Sequence, residues 1–265
     1  MPRYESREEE WRAFLRGDHQ RFGKRSPWRF IPSAPRCAQC SAPFGAPGRW
    51  VFRRLGFVPW EKNPRICRFC LNKLGKDEGV GAEVELSMLF ADVRGSSGLA
   101  RDMSASEFRR LMGRFYEVAT DVLVESDALL DKFVGDQAIG LFVPGIAGPR
   151  HARRAIDAAE RLLRETGHGS GLEPWVPLGA AVNTGTAYVG TVLNRGEITD
   201  FTALGDAVNV TAHLCSQAGV GEILVTEATA RSADLSLEGL EERHLSLKGH
   251  QMSARVLRLA GDRTG

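Results

Sequence analysis

No stretch of 18 consecutive apolar residues occurs in the 265-residue chain, so no segment suits a membrane-spanning helix. The opening MPRYESREEEW carries acidic charge where a secretory signal needs an apolar core. Both absences predict a cytoplasmic protein, a setting in which disulfides are not expected. Cysteine is scarce, at five residues. The chain also lacks a strong net charge, but its formal +2 hides an asymmetry: residues 1–80 hold 17 Lys and Arg against 8 Asp and Glu, which leaves 18 against 25 in residues 81–265. A basic front and an acidic back predict different partners for the two parts. With 43% apolar residues, the chain can bury a full core, and its length suits one domain of roughly 150–200 residues plus a smaller appendage.

The scarce cysteines are concentrated. Cys37-Ala38-Gln39-Cys40 and Cys67-Arg68-Phe69-Cys70 are two CxxC pairs 26 residues apart, the arrangement of two knuckles that close a tetrahedral thiolate site. Between them Trp50, Val51, Phe52, Leu55 and Phe57 are too few for a free-standing core, and a metal would supply the missing stability. Structural zinc is the reading taken, with iron, as an ion or cluster, the alternative that four thiolates also suit. An unmetallated or disulfide form is the third. Cys215 reads as a buried free thiol. Ahead of the module, residues 1–35 form an arm with a short helix from Glu8 to Leu15, expected to pack against the module. Mixed basic and aromatic residues there leave nucleic-acid binding as a minor reading. The module spans 36–74, a connection 75–83, and the main domain 84–262.

The main domain is organised around Leu86 to Phe108. Leu86, Met88 and Phe90 alternate as on a strand, Leu89 and Ala91 fill the other face, and Asp92 stands at the strand's end. Small residues follow at once in Gly95, Ser96 and Ser97, where backbone N–H groups at a helix start would favour an anion. A carboxylate beside such a turn suits a metal–phosphate site, and the same pattern equally suits a capped turn with a solvated Asp. Ser104 and Glu107 make a capping box before an apolar-striped helix. Leu129–Phe133 and Gln137–Val143 read as a hairpin around Val134-Gly135, with Lys132 and Asp136 at its tip. A second helix ends at Gly167, Trp175–Val182 reads as a strand, and Tyr188–Leu193 pairs with Ile198–Leu204 in a long hairpin. This order is the split βαβ, ferredoxin-like plan: an α+β domain with an antiparallel sheet, helices on one face and the other face open.

In that plan the first strand and the 129–143 hairpin are central neighbours, so Asp92 and Asp136 fall side by side. Two such carboxylates repel unless a cation sits between them, which makes them candidates for Mg²⁺, and for two ions. A lone Asp beside a Gly is otherwise an ordinary turn residue, and Lys132 an ordinary solvated lysine. Later, a strand runs into Gly205 and a helix begins at Asp206, whose carboxylate is expected to cap it. Asn209 and His213, four apart, share a face of that helix; a local structural bond for Asn209 and plain exposure for His213 are the alternatives.

From Val84 to Leu259 the chain resembles the class III nucleotidyl cyclase catalytic domain, the fold of adenylyl and guanylyl cyclases. The resemblance rests on FADVRGSS, DKFVGDQAIGLF, VNTGTAYVG, LGDAVNVTAHL and GEILVTEAT in the family's order, and extends to SLKGHQMSARVLRL. The Cys module lies outside it. The resemblance implies that Asp92 and Asp136 hold two Mg²⁺ or Mn²⁺ ions, with the carbonyl of Val93 assisting, and that Lys132 reads adenine. The second base-reading position falls on Thr202, as in a bacterial subgroup that uses ATP. Asn209 would position the ribose, and Lys248 would contact phosphate. The arginine that steadies the phosphates falls on His213, a departure that implies low activity, because histidine lacks the guanidinium fork. The resemblance further implies an adenylate cyclase working as a head-to-tail homodimer. The aspartates and the lysine would come from one chain, the asparagine and the arginine equivalent from the other.

Overall fold

The computed structural model describes residues 6–18, 27–31, 33–37, 40–60, 63–70, 81–194, 197–247 and 250–260. In chain order the elements are α1 (Arg7–Arg16), α2 (Arg49–Arg54), β1 (Pro59–Trp60), β2 (Asn63–Cys67), β3 (Gly81–Val93), α3 (Ser96–Asp102), α4 (Ala105–Glu125), β4 (Leu129–Val134), β5 (Gln137–Phe142), α5 (Pro144–Ala147) and α6 (His151–Glu165). There follow β6 (Leu178–Asn194), β7 (Glu197–Leu204), α7 (Asp206–Gln217), β8 (Glu222–Thr226), α8 (Glu227–Ser232), β9 (Glu241–Leu247) and β10 (His250–Arg258). The sheet runs β4-β5-β3-β6-β8-β10-β9, with β7 on β6, a mixed α+β architecture. Gly81, Ala82 and Glu83, read as connection, are the first residues of β3.

β3 is buried on both sides, and its alternation sorts the residues between two cores. Leu89, Ala91 and Val93 join α4, α6 and α8 in one. Val84, Leu86, Met88 and Phe90 join Trp11, Phe14, Leu15, Leu214 and Cys215 in the other. The second face is therefore not bare, as α1 and α7 lie on it. The arm helix packs chiefly on the main sheet rather than on the Cys module: Trp11 stacks on Phe201 of β7 with ring centroids 6.0–6.1 Å from Phe14 and Phe201. Three apolar side chains on one helical face outweigh propensity in a ten-residue helix, so the larger apolar surface wins it.

Two strand assignments change. The 175–182 strand and the first arm of the long hairpin are one strand, β6, because pairing with β3 continues unbroken from Leu178 to Gly190. The sheet is also not wholly antiparallel. β6 and β8 pair in parallel, which requires a crossover, and α7 supplies it. The α4 capping box is present, with the Ser104 hydroxyl accepting from Glu107 N and the Glu107 carboxylate from Ser104 N. At α7 the cap is Gly205, with no side-chain cap bond; Asp206 is the first helical residue, acting through its charge near the helix N-terminus.

Candidate active site

Asp92 stands at the end of β3 opposite Gln137. The β4–β5 turn, Gly135-Asp136, lies alongside and is tied on by Val93 N donating to the Asp136 carbonyl at 3.2 Å. Gly135 has φ +60°, the left-handed conformation that a two-residue hairpin turn needs at its first position. Tyr116 of α4 holds this turn, its hydroxyl donating to the Gly135 carbonyl at 2.6 Å. Burial pushes the Asp92 carboxyl upward, the Arg94 guanidinium draws it down, and the adjacent Asp136 raises it again. The two carboxylates at this strand end are hard-oxygen donors of the kind that fits Mg²⁺ or Mn²⁺.

Arg94 is the residue that sequence reasoning passed over here. Its Nη2 pairs with Asp92 Oδ2 at 2.7 Å, and its Nη1 reaches the carbonyls of Ser216 and Ala218 at 3.4 Å each. These carbonyls belong to the C-terminal end of α7, where a cation is favoured. Next along the chain, Gly95 is left-handed at φ +69° and caps α3, which opens on half-buried Ser96 and exposed Ser97.

A second group forms where β4 meets β7. Lys132 Nζ donates to Thr202 Oγ1 at 3.3 Å, and Thr202 Oγ1 donates to Asp131 Oδ2 at 3.1 Å. Lys132 Nζ also stands 3.8 Å from Asp131 Oδ1. Asp131 and Thr202 are buried, at 4% and 7% exposure, while the Lys132 side chain is 42% exposed. Asp131 escaped the sequence reading because the β4–β5 register shifts between Leu130 and Lys132. That irregularity breaks the strict alternation by which buried strand positions are recognised.

Asn209, exposed, and His213, half-buried, lie one turn apart on α7. The first turn of α7 is held by Asn183, which donates to the Ala207 carbonyl at 3.1 Å and accepts from the Thr226 hydroxyl at 3.0 Å. The structure thus brings Asp92 to Asp136 and Lys132 to Thr202. No hydrogen bond or ion pair among the described residues joins these pairs to each other or to Asn209 and His213. Lys248 lies outside the described residues.

The four cysteines of the module converge, with all Sγ atoms within 4.8 Å of one another. Cys67 N and Cys70 N donate to the sulfurs of Cys37 and Cys67, at 3.3 Å each. Hydrogen bonding among the sulfurs, led by Cys40, pushes the Cys37 thiol down, while Cys37 pushes Cys67 and Cys70 up. Cys215 is buried beneath Phe90, donating to its carbonyl at 3.4 Å, and burial pushes its thiol up to about 12.

A family model described as "Adenylate and Guanylate cyclase catalytic domain" matches residues 81–258. An adenylate cyclase of Anabaena cylindrica is 31% identical over 164 residues, which are 58% of this chain and 32% of that protein. An uncharacterized protein of Mycobacterium tuberculosis is 27% identical over 194 residues, 68% of this chain and 34% of its own. The chain thus spans about a third of the length of these curated relatives. Among solved structures, the guanylyl cyclase Cya2 superposes with a TM-score of 0.58 at 23% identity, covering 69% of this chain and 95% of that one. The adenylyl cyclase CyaB from P. aeruginosa gives 0.56 at 22%, covering 69% and 97%. At these identities the likeness to the solved structures is one of fold.

Proposed function

The chain belongs to the family of adenylate and guanylate cyclase catalytic domains, and from that premise we propose an adenylate cyclase that converts ATP to 3′,5′-cyclic AMP and pyrophosphate. The observation that carries this reading is the meeting of Asp92 and Asp136 where β3 ends beside the β4–β5 turn. Two Mg²⁺ or Mn²⁺ ions, held by these carboxylates and the Val93 carbonyl, would lower the pKa of the ribose 3′-hydroxyl and neutralise the triphosphate. The chain's own groups do the rest. Asp92 and Asp136 fix where the 3′-oxygen meets the α-phosphorus. Lys132 donates to adenine N1, and Thr202 accepts from the 6-amino group. The Gly95, Ser96 and Ser97 turn and Lys248 meet the phosphates, Asn209 orients the ribose, and His213 donates to the phosphate as negative charge develops.

Because Lys132 meets Thr202 within one chain, both base readers come from the same subunit. Asn209 and His213 of one subunit complete the site whose aspartates belong to the other, so the active species is a homodimer. The Cys tetrad holds zinc, and a cytoplasmic location belongs to the same reading. No described helix is long and apolar enough to cross a membrane. A second reading is favoured by His213: a slow or altered-substrate relative that binds nucleotide as a sensor. Incubation of the purified protein with each nucleoside triphosphate and Mg²⁺ or Mn²⁺, with products identified by mass, separates the two. Cyclic AMP from ATP is the expected product. Turnover of GTP in excess of ATP, or nucleotide binding with no product, overturns the adenylate cyclase reading.

A further inference from the structure

Among the described residues, the Cys module meets the catalytic domain through Ile66, buried in the core it shares with α1 and β3, and through two contacts that adjoin the base-reading group. Asn63 in β2, fully buried, donates from Nδ2 to the Ala128 carbonyl at 2.7 Å, and Arg65 pairs with Asp127. Asp127 and Ala128 immediately precede β4, the strand of Asp131 and Lys132. From the other side, Trp60 of β1 meets the Phe201 ring edge-on with centroids 6.0 Å apart, and Phe201 immediately precedes Thr202. β1 and β2 pair with each other, Trp60 opposite Asn63 and Pro59 opposite Cys67. A single two-stranded hairpin therefore grips both strands that carry the base readers, and its closing residue is a cysteine of the tetrad.

Apart from Ile66 and Trp60, which pack into the second core, that hairpin has little to hold it. The buried cluster of the module is Cys37, Cys40, Ala42, Phe44, Phe52 and Cys67, so half its members are the sulfur residues themselves. A cluster this small does not stabilise a free-standing fold without a cross-link. The sulfurs offer one: Cys40 Sγ lies 3.6 Å from Cys67 Sγ, close to the ~3.8 Å that a tetrahedron with zinc–sulfur bonds of ~2.3 Å requires. The backbone N–H groups of Cys67 and Cys70 point at sulfurs, which stabilises thiolates. The Cys40–Cys67 approach also joins the first knuckle to the end of β2, so an ion there locks the hairpin in place.

We propose that Cys37, Cys40, Cys67 and Cys70 bind one zinc ion whose function is to brace β4 and β7, so that metal occupancy sets how tightly the adenine site holds its nucleotide. The nucleotide part rests on the cyclase reading; the brace does not. Three measurements on the full chain test it: zinc content, amide hydrogen exchange, and ATP binding with Mg²⁺ restored in excess after a chelator has stripped the thiolate site. Zinc is expected at one ion per chain. Stripping speeds exchange in 129–134 and 201–204 by roughly tenfold or more and weakens ATP about five- to tenfold, and added zinc reverses both. The double variant Asn63→Ala, Trp60→Leu keeps its zinc yet shows the same loosening. Stripped and reloaded wild-type protein answers the question even where a Cys40→Ser variant fails to fold. Faster exchange confined to the module, with β4 and β7 unchanged, overturns the brace, and iron found in place of zinc overturns the metal. Metal-loaded protein that binds no nucleotide overturns the cyclase reading instead, while the exchange data still decide the brace.

Discussion

The Thr202 hydroxyl gives its proton to the buried carboxylate of Asp131 at 3.1 Å and accepts one from Lys132 at 3.3 Å. A free hydroxyl can donate or accept, and so discriminates poorly between the amino group of adenine and the O6 of guanine. With its proton committed to Asp131, Thr202 offers the base only a lone pair. In the proposed base-reading role of Thr202, Asp131 acts as a positioning residue. Asp131→Asn can donate to Thr202 and release that proton. The ratio of kcat/KM for ATP to that for GTP is expected to fall about tenfold, the size of one unmet polar contact of ~1–3 kcal/mol. Lys132→Ala lowers the ratio by removing the donor to N1. An unchanged ratio in both variants, with circular dichroism intact, removes this group from base reading.

His213 occupies the position where the family resemblance places an arginine. Groups that meet developing charge are worth roughly 3–4 kcal/mol each, and imidazole supplies only part of that. His213→Arg is expected to raise kcat about tenfold with a smaller change in KM, measured by steady-state turnover. A kcat no higher than wild type shows that His213 does not limit the rate.

Asp92→Ala and Asn209→Ala chains should each be inactive alone and active when mixed. Random pairing restores up to about a quarter of the sites, because half the dimers are mixed and one of their two sites is intact. Activity assayed after co-refolding, with dimer formation checked by sedimentation, measures this. Verified dimers with no recovered activity rule out a site shared between subunits.

Arg94 neutralises Asp92 from 2.7 Å, and a cation bound to the same carboxylate must share it with that guanidinium. Like charges at one ligand oppose each other. Arg94→Gln should therefore lower the half-saturating Mg²⁺ concentration by roughly three- to tenfold. Its other contacts, at 3.4 Å to Ser216 and Ala218, are long, so little stability is lost with them. A Mg²⁺ titration of activity, or of metal binding by calorimetry, reads the shift; a raised requirement contradicts the competition.

Glu222 in β8 accepts from Arg243 through both carboxylate oxygens, at 2.5 and 2.9 Å, and also from Gly219 N at 2.8 Å. The Arg243 guanidinium leads in holding its carboxyl down at about 2, from 4.5. A carboxyl depressed in the folded state contributes stability that is complete above its unfolded pKa and is lost as pH falls through the folded one. Glu222→Gln should cost roughly 1–2 kcal/mol at pH 7, allowing for solvent screening. That difference should shrink from about pH 4.5 downward and vanish only below about pH 2. Urea unfolding at pH 7 and pH 3 checks it, and a difference equal at both values contradicts the linkage.

What the sequence by itself determined is whatever local chemistry dictates. Ser104 and Glu107 define a helix start, Gly135 a tight turn, and paired CxxC motifs a sulfur cluster; each signal is complete within a few residues. The Asp92–Asp136 pair was legible too, because strand order alone makes their strands neighbours. Tertiary structure decided what depends on register and on side-chain reach. Asp131 turns inward at an irregularity that periodicity does not encode, and Arg94 finds the end of a helix more than a hundred residues away in sequence. The arm helix chose the sheet over the module because Trp11, Phe14 and Leu15 bury more apolar surface against β3 and Phe201. Trp60 and Asn63 look like loop residues until folding sets them against Phe201 and Ala128. Such contacts join groups whose positions are fixed only once both cores have packed, and no local pattern records them.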